Sequence, residues 1–147
     1  MKIDVYPTTT IGFRPTLTAV GTWLAKQKVA PNSQQFMETV LTREQAGSTS
    51  IGGGLMVPHY MQPGLSPARL VAVPIHAAES WPGLDGQPIR LLLITCFDPD
   101  QPQPAFQALL RGLASPTAAA KLVRQPDAGL AQALANLMTM EENNGTN

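Results

Sequence analysis

Apolar residues recur at spacings of three and four near the start of the chain. Over Thr16 to Lys28 they are Leu17, Val20, Trp23 and Leu24, a period that predicts an amphipathic helix. Val29-Ala30-Pro31 ends it. Asn32 or Ser33 can cap a second helix whose buried face is Phe36, Met37, Val40 and Leu41, and Gly47 is well placed to close it. The pattern then changes. Leu55-Met56-Val57 is a short apolar run, Ala68 to Ile75 is apolar nearly throughout, and Ile89 to Phe97 more so. These predict buried strands, the last one central and covered on both faces. Pro74 puts the second strand at a sheet edge or marks its end. Helical spacing returns over Ala105 to Leu113, over Thr117 to Val123 behind Ser115-Pro116, and over Ala128 to Met138 behind Asp127. Leu130, Leu134 and Leu137 make the apolar face of the last helix.

Between these segments the chain is rich in breakers. Residues 1–15 hold Pro7, Pro15 and a threonine run, which predict a short extended segment that then breaks off. Loops are expected over 61–67, over 77–88 with a turn at Leu84-Asp85-Gly86, and over the proline-rich 98–104. Residues 139–147 are expected to be a flexible tail, fraying from Glu141. No repeat and no boundary interrupts the pattern, so residues 1–147 are expected to form one domain with its core over about 16–138. Strands alternating with helices, without hairpin-length links, predict an α/β fold: one layered domain whose mixed parallel and antiparallel sheet is flanked by helices on both faces.

Composition narrows the partners. The 147 residues carry ten basic and ten acidic side chains with no basic stripe, which argues against a nucleic-acid partner. No apolar run reaches membrane-spanning length, so no membrane insertion is expected. Met1-Lys2-Ile3-Asp4-Val5 lacks the features of a secretion signal. The single cysteine, Cys96, excludes an internal disulfide and fits a reducing compartment. A cytoplasmic protein is expected.

Candidate chemistry concentrates in Ser48 to Tyr60. A glycine run, Gly52 to Gly54, leads into the apolar run, then Pro58, then His59, one of two histidines. A neutral imidazole where a buried strand emerges is a candidate nucleophile. Successive glycines can aim backbone N–H groups at an anion, although no Gly-Lys-Ser/Thr follows as a P-loop requires. Arg43 and Glu44 fall in the last turn of the second helix, close to this run. His76 is expected to face solvent, and Cys96 to be a core residue. Asp98, Asp100 and Asp127 suit loops and a cap. No metal cluster is apparent, and neither a metal nor a cofactor is expected.

Leu41-Thr-Arg43-Glu44-Gln-Ala-Gly47-Ser48-Thr49-Ser-Ile51-Gly52-Gly-Gly-Leu-Met-Val57-Pro58-His59 resembles the phosphohistidine signature of the fructose/mannitol-class (type 2) enzyme IIA domains of the bacterial sugar phosphotransferase system, a class that includes a nitrogen-regulatory branch. The family pattern is roughly L-x-R-E-x-x-x-(S/P)-T-x-x-G-x-x-(I/V)-A-(I/V)-P-H. Asp85-Gly86-Gln87-Pro88-Ile89 resembles the family's D-G-x-P-V lead into its central strand, and the likeness covers about residues 16–138. It implies that His59 accepts a phosphoryl group from the phosphocarrier protein and passes it to a cysteine of a IIB domain. It further implies that Arg43 binds the phosphate, with Thr49, Gly53 and Gly54 completing the cradle and no metal involved. The alternative it allows is a regulatory module whose His59 phosphorylation state controls partner binding.

Three positions depart from that pattern. Many members carry a second active-site histidine after the central strand, where this chain reads Gln103-Pro104-Ala105-Phe106. Gly53 stands where some have glutamate, and Tyr60 where glycine is usual. A missing imidazole donor would withdraw about 2.7–4 kcal/mol of transition-state stabilisation if it acted like an oxyanion-hole donor.

Overall fold

The computed structural model describes residues 1–145, except for the side chains of residue 77 and of residue 140 onward. Its elements in order are β1 (Lys2–Val5), α1 (Phe13–Lys26), α2 (Ser33–Ala46), β2 (Ser50–Gly52), β3 (Leu55–Met56), β4 (His59–Met61), β5 (Arg69–Pro74), β6 (Leu91–Phe97), α3 (Pro104–Leu113), α4 (Pro116–Val123) and α5 (Asp127–Gly145). The six strands form one mixed sheet in the order β1-β5-β6-β3-β2, with β4 also on β6. β5 runs antiparallel to β6, while β1 runs parallel to β5, and β3 and β4 run parallel to β6.

Alternation along the strands sends side chains to two separate cores. Leu92, Ile94 and Cys96 of β6 and Val71 and Val73 of β5 face α1 and α2, where they meet Leu17, Val20, Leu24, Phe36 and Val40. Leu91 and Leu93 with Leu70 and Ala72 face the other way, onto Phe106, Leu109, Leu122, Leu130 and Leu134 of α3, α4 and α5. A strand with both faces covered reads as continuously apolar, which is why Leu91–Phe97 stood out. The expected layered α/β architecture is the one observed.

Local chemistry accounts for most boundaries. Asn32 caps α2 by accepting from the Gln35 N–H at 2.8 Å, and Ser115 caps α4 through the Ala118 N–H. Gly47 closes α2, its N–H donating to the Glu44 carbonyl. β5 ends at Pro74, yet it lies inside the sheet, between β1 and β6. Its missing donor is tolerated because β1 pairs only as far as Ala72. Helix α1 begins three residues earlier than the apolar period suggests, because Pro15 fits a first turn whose N–H groups lack intrahelical partners. Helix α5 runs on to Gly145, so residues 139–145, expected as a flexible tail, continue the last helix; the final two residues of that expected tail lie outside the described ones.

One expectation fails. Hairpin-length links are present: β2 and β3 form a tight antiparallel hairpin joined through Gly53 and Gly54. Gly52, Gly53 and Gly54 have φ of 86°, 65° and 86°, a left-handed run that glycine alone adopts cheaply. The glycine run is a turn, and it packs on the segment before β6. Gly53 N–H donates to Asp85 Oδ2 at 3.1 Å, and the Gly54 carbonyl accepts from Arg90 and Leu91.

Candidate functional site

His59 opens β4, and its position follows from β6. Leu55 pairs Leu91 and His59 pairs Thr95 in one continuous register across Pro58. Pro58 has no N–H to give but its carbonyl still accepts from the Thr95 N–H at 2.9 Å. Period two then fixes the faces. Leu55, Val57 and His59 turn toward α3–α5, whereas Met56 and Tyr60 turn toward α1 and α2. Tyr60 is buried, its ring 5.0 Å from that of Phe36, and its hydroxyl donates to Gln35 Oε1 at 2.7 Å. These contacts tie the histidine's strand to α2.

The His59 ring is half-buried. Phe97 meets it edge-on at 5.8 Å between centroids, and Phe106 packs behind Phe97 at 5.6 Å with its ring tilted. Its pKa lies below the ordinary imidazole value, first because burial penalises the cation and second because the Arg43 charge repels it. At neutral pH the ring is therefore neutral and keeps a lone pair for attack. Arg43 sits in the last turn of α2, which packs on β4. Its Nη1 donates to the Gly47 carbonyl at 2.7 Å, leaving the other N–H groups of the fork for an anion.

The remaining expected residues divide. Thr49 is buried and close in the chain path, since its carbonyl accepts from the Val57 N–H at 3.0 Å. Its own donors go elsewhere: N–H to Glu44 Oε2 at 3.1 Å, and hydroxyl to Glu44 Oε1. Thr49 and Glu44 together clamp the end of α2 to the strand that carries the histidine. Gly53 and Gly54 are not brought to His59. They lie beyond the Leu55–Leu91 pair, at the opposite end of β6 from the His59–Thr95 pair. The two pairs are four residue steps apart along the strand, about 13 Å, and the Gly53 N–H is already bonded to Asp85. A cradle built from these glycines cannot reach a phosphoryl group on His59.

Several neighbours had no sequence signal. Glu44 was visible beside Arg43, but not its grip on Thr49. Phe97 is simply the last residue of an apolar strand. Ala105, in the first turn of α3, is half-buried against the core that includes Phe97 and Phe106, so this corner is apolar and holds no second imidazole. Cys96 lies in the opposite core, its thiol pushed up to about 12 mainly by burial. His76 is exposed. Among the described residues no group of three or more acidic, histidine or cysteine side chains is placed to hold a metal, and no helix is long and apolar enough to cross a membrane.

Comparison with known proteins places this arrangement. The family model described as "Phosphoenolpyruvate-dependent sugar phosphotransferase system, EIIA 2" matches residues 14–144. A nitrogen regulatory protein of Klebsiella oxytoca is 34% identical over 79 residues, covering 53% of this chain and 49% of that protein. The 2-O-alpha-mannosyl-D-glycerate-specific EIIABC component of Escherichia coli K12 is 29% identical over 83 residues, 56% of this chain and 13% of the longer one. The chain thus spans about half the length of the nitrogen regulatory relatives it matches. Among solved structures, nitrogen regulatory protein IIA-Ntr of Neisseria meningitidis superposes with a TM-score of 0.67 at 18% identity, covering 90% of this chain and 92% of that one. An Escherichia coli complex of enzyme IIAMTL with phosphorylated enzyme IIBMTL aligns with a TM-score of 0.57 at 14% identity, over 95% and 94% of the respective chains. At these identities the structural likeness establishes the fold.

Proposed function

The chain belongs to the EIIA type 2 family of the phosphoenolpyruvate-dependent sugar phosphotransferase system, and on that premise we propose that it is a phosphoryl carrier with His59 as acceptor. The observation that carries this reading is a half-buried imidazole kept neutral by burial and by the Arg43 guanidinium. The donor is a phosphohistidine of the phosphocarrier protein. The unprotonated ring nitrogen of His59 attacks its phosphorus, a new P–N bond forms, and the donor imidazole leaves with the electron pair of the broken P–N bond. In the onward step a IIB cysteine thiolate attacks the same phosphorus. A P–S bond forms, and the His59 nitrogen recovers its pair.

Little covalent work falls to the protein in such a transfer. Positioning and charge stabilisation dominate. Phe97 and the β4–β6 pairing fix the ring, and Arg43 offers its free N–H groups to the equatorial oxygens. Arg43 destabilises imidazolium but attracts the phosphoryl group, so one charge favours both the nucleophile and its product. That a IIA protein of this fold forms a complex with a phosphorylated IIB protein supports a IIB partner here. The carrier and both protein partners would meet in the cytoplasm.

A regulatory role on the same chemistry is the second reading, in which phosphorylation of His59 switches binding of a target protein. It is favoured by the nitrogen regulatory relatives and by the apolar corner of Ala105, Phe97 and Phe106, which offers no second imidazole donor.

Intact-mass spectrometry at mildly alkaline pH tests the common core of both readings. The chain and its His59→Ala variant are incubated with phosphoenolpyruvate, enzyme I and the phosphocarrier protein. One acid-labile phosphate, absent from the variant, is the expected result. No added mass, with the same carriers active on another IIA protein, would overturn it. Passage of the label to IIB proteins then separates a sugar-uptake carrier from a regulator.

A further inference from the structure

Outside the His59 site, the C-terminal end of α1 and the ends of β1 and β5 enclose a cleft of ≈ 540 Å³ whose lining includes Lys2, Lys28, Arg69, Gln27 and Gln62. Its charge is unbalanced. Lys2 and Arg69 are register partners on adjacent parallel strands, so their side chains leave the same face side by side, and like charges so placed repel. Lys28 adds a third cation from the turn that ends α1. Among the described residues the carboxylate bound to these cations is that of Asp4, which accepts from Arg69 Nη2 at 2.9 Å.

Arg69 is the anchor. It is only 6% exposed, its guanidinium lies 5.6 Å from the Trp23 ring centroid, and its Nε–H has no hydrogen-bond partner. A buried donor without an acceptor is rare in folded proteins and destabilising. The two glutamines turn their acceptors inward. Gln27 Oε1 takes the Arg69 Nη2–H at 3.5 Å, and Gln62 Oε1 takes the Gln35 amide at 3.0 Å. Their own NH2 groups remain as donors. The helix end does not compete, since the carbonyls of Trp23, Leu24 and Ala25 are occupied by backbone N–H groups of the following turn.

We propose that this cleft is a binding site for a small acceptor-only dianion, a phosphate ester or a dicarboxylate. Two ammonium groups and the NH2 groups of two glutamines line the cleft, and with the buried Arg69 charge behind them they suit an oxyanion and disfavour a cation. The volume falls in the range that accommodates a metabolite. The site is separate from Arg43 and stands whether or not His59 carries phosphate. Gln62 follows β4 and shares the hydrogen-bond cluster of Tyr60 and Gln35, so an occupant would rest against the strand that holds the histidine.

Isothermal titration of the full chain with inorganic phosphate, a hexose phosphate and a five-carbon dicarboxylate, each against sodium chloride of equal ionic strength, tests the assignment. Parallel titrations use Arg43→Ala, which removes the cation beside His59, and Lys2→Glu and Lys28→Glu, both at exposed positions and each compared with wild type by its melting curve first. Saturable binding kept in Arg43→Ala and weakened at least about tenfold in each lysine variant is expected. The tightest of the three probes identifies the source of the dianion. No saturable binding above the chloride control, binding lost in Arg43→Ala, or equal affinity in the lysine variants would overturn the proposal.

Discussion

Replacing Gly54 with alanine separates a structural turn from a phosphate cradle. Gly54 has φ +86°, and a Cβ there would stand 3.0 Å from Arg90 Cγ and 3.2 Å from the Pro88 carbonyl oxygen. The arginine side chain can swing away, but the carbonyl is backbone and cannot. Holding a non-glycine residue in a disfavoured backbone region costs on the order of 1–3 kcal/mol. About 2 kcal/mol is a fair expectation, a fall of roughly 4–8 °C in Tm for a domain of this size. Gly53→Ala is the control, with φ +65° and nothing within 4 Å of its added Cβ, and should cost about 1 kcal/mol from conformation alone. Neither change should slow phosphorylation of His59. Gly54 lies one residue beyond Leu55, about 16 Å along the strand from His59, whereas a donor must approach within about 3.2 Å of a phosphate oxygen. Melting curves and intact-mass phosphorylation rates, taken well below Tm, measure the two effects independently. A tenfold loss of rate with an unchanged melt would refute the reasoning and return the glycines to the phosphate.

Arg43→Gln should lower the phosphorylation rate by about 10²–10³, the range for one lost charge-stabilising donor. In the same variant the His59 pKa, followed by NMR, should rise yet stay below the ordinary value, because burial is the larger cause; no movement would mean the two groups do not interact. The depressed pKa also sets a stability profile. The unfolded imidazole takes its proton near pH 6.5 and the folded one only at lower pH, so the His59 contribution is whole above pH 6.5 and is lost as pH falls through the folded pKa. Denaturant midpoints of wild type should therefore drop more than those of His59→Ala over that window, and parallel curves would contradict the shift. Cys96, fully buried with its thiol pushed up to about 12, should resist thiol reagents at pH 8 in the native protein and react at once in denaturant; rapid native labelling would show that β6 opens.

Legibility followed the range of the interactions. Helices α2, α3 and α4 were readable because caps and apolar periods act within a few residues, as at Asn32 and Ser115. β6 was readable because burial on both faces leaves a plain apolar run. His59 stood out from its place after a short apolar run and Pro58, and Arg43 from family likeness; His59 is the first residue of β4, and Arg43 lies in the last turn of α2, which packs on that strand. The role of the glycine run was not legible, because glycine in sequence says only that a backbone is free to turn. Whether it turns around an anion or into a hairpin depends on what Asp85, Arg90 and Leu91 bond to, more than thirty residues away. Arg69 shows the same blindness. It lies at the head of an apolar strand, and its companions Asp4 and Trp23 belong to other elements.

The unbroken register across Pro58 limits how this chain can vary in length. A strand counts in twos, so deleting one residue between Leu55 and His59 would turn the imidazole under α2 and expel Tyr60 from its core. The loop that follows Gln62 carries no such count. Natural or engineered insertions should therefore be tolerated in that loop and rejected within residues 55–61. Any transplant of the histidine onto another sheet would have to carry this seven-residue segment whole.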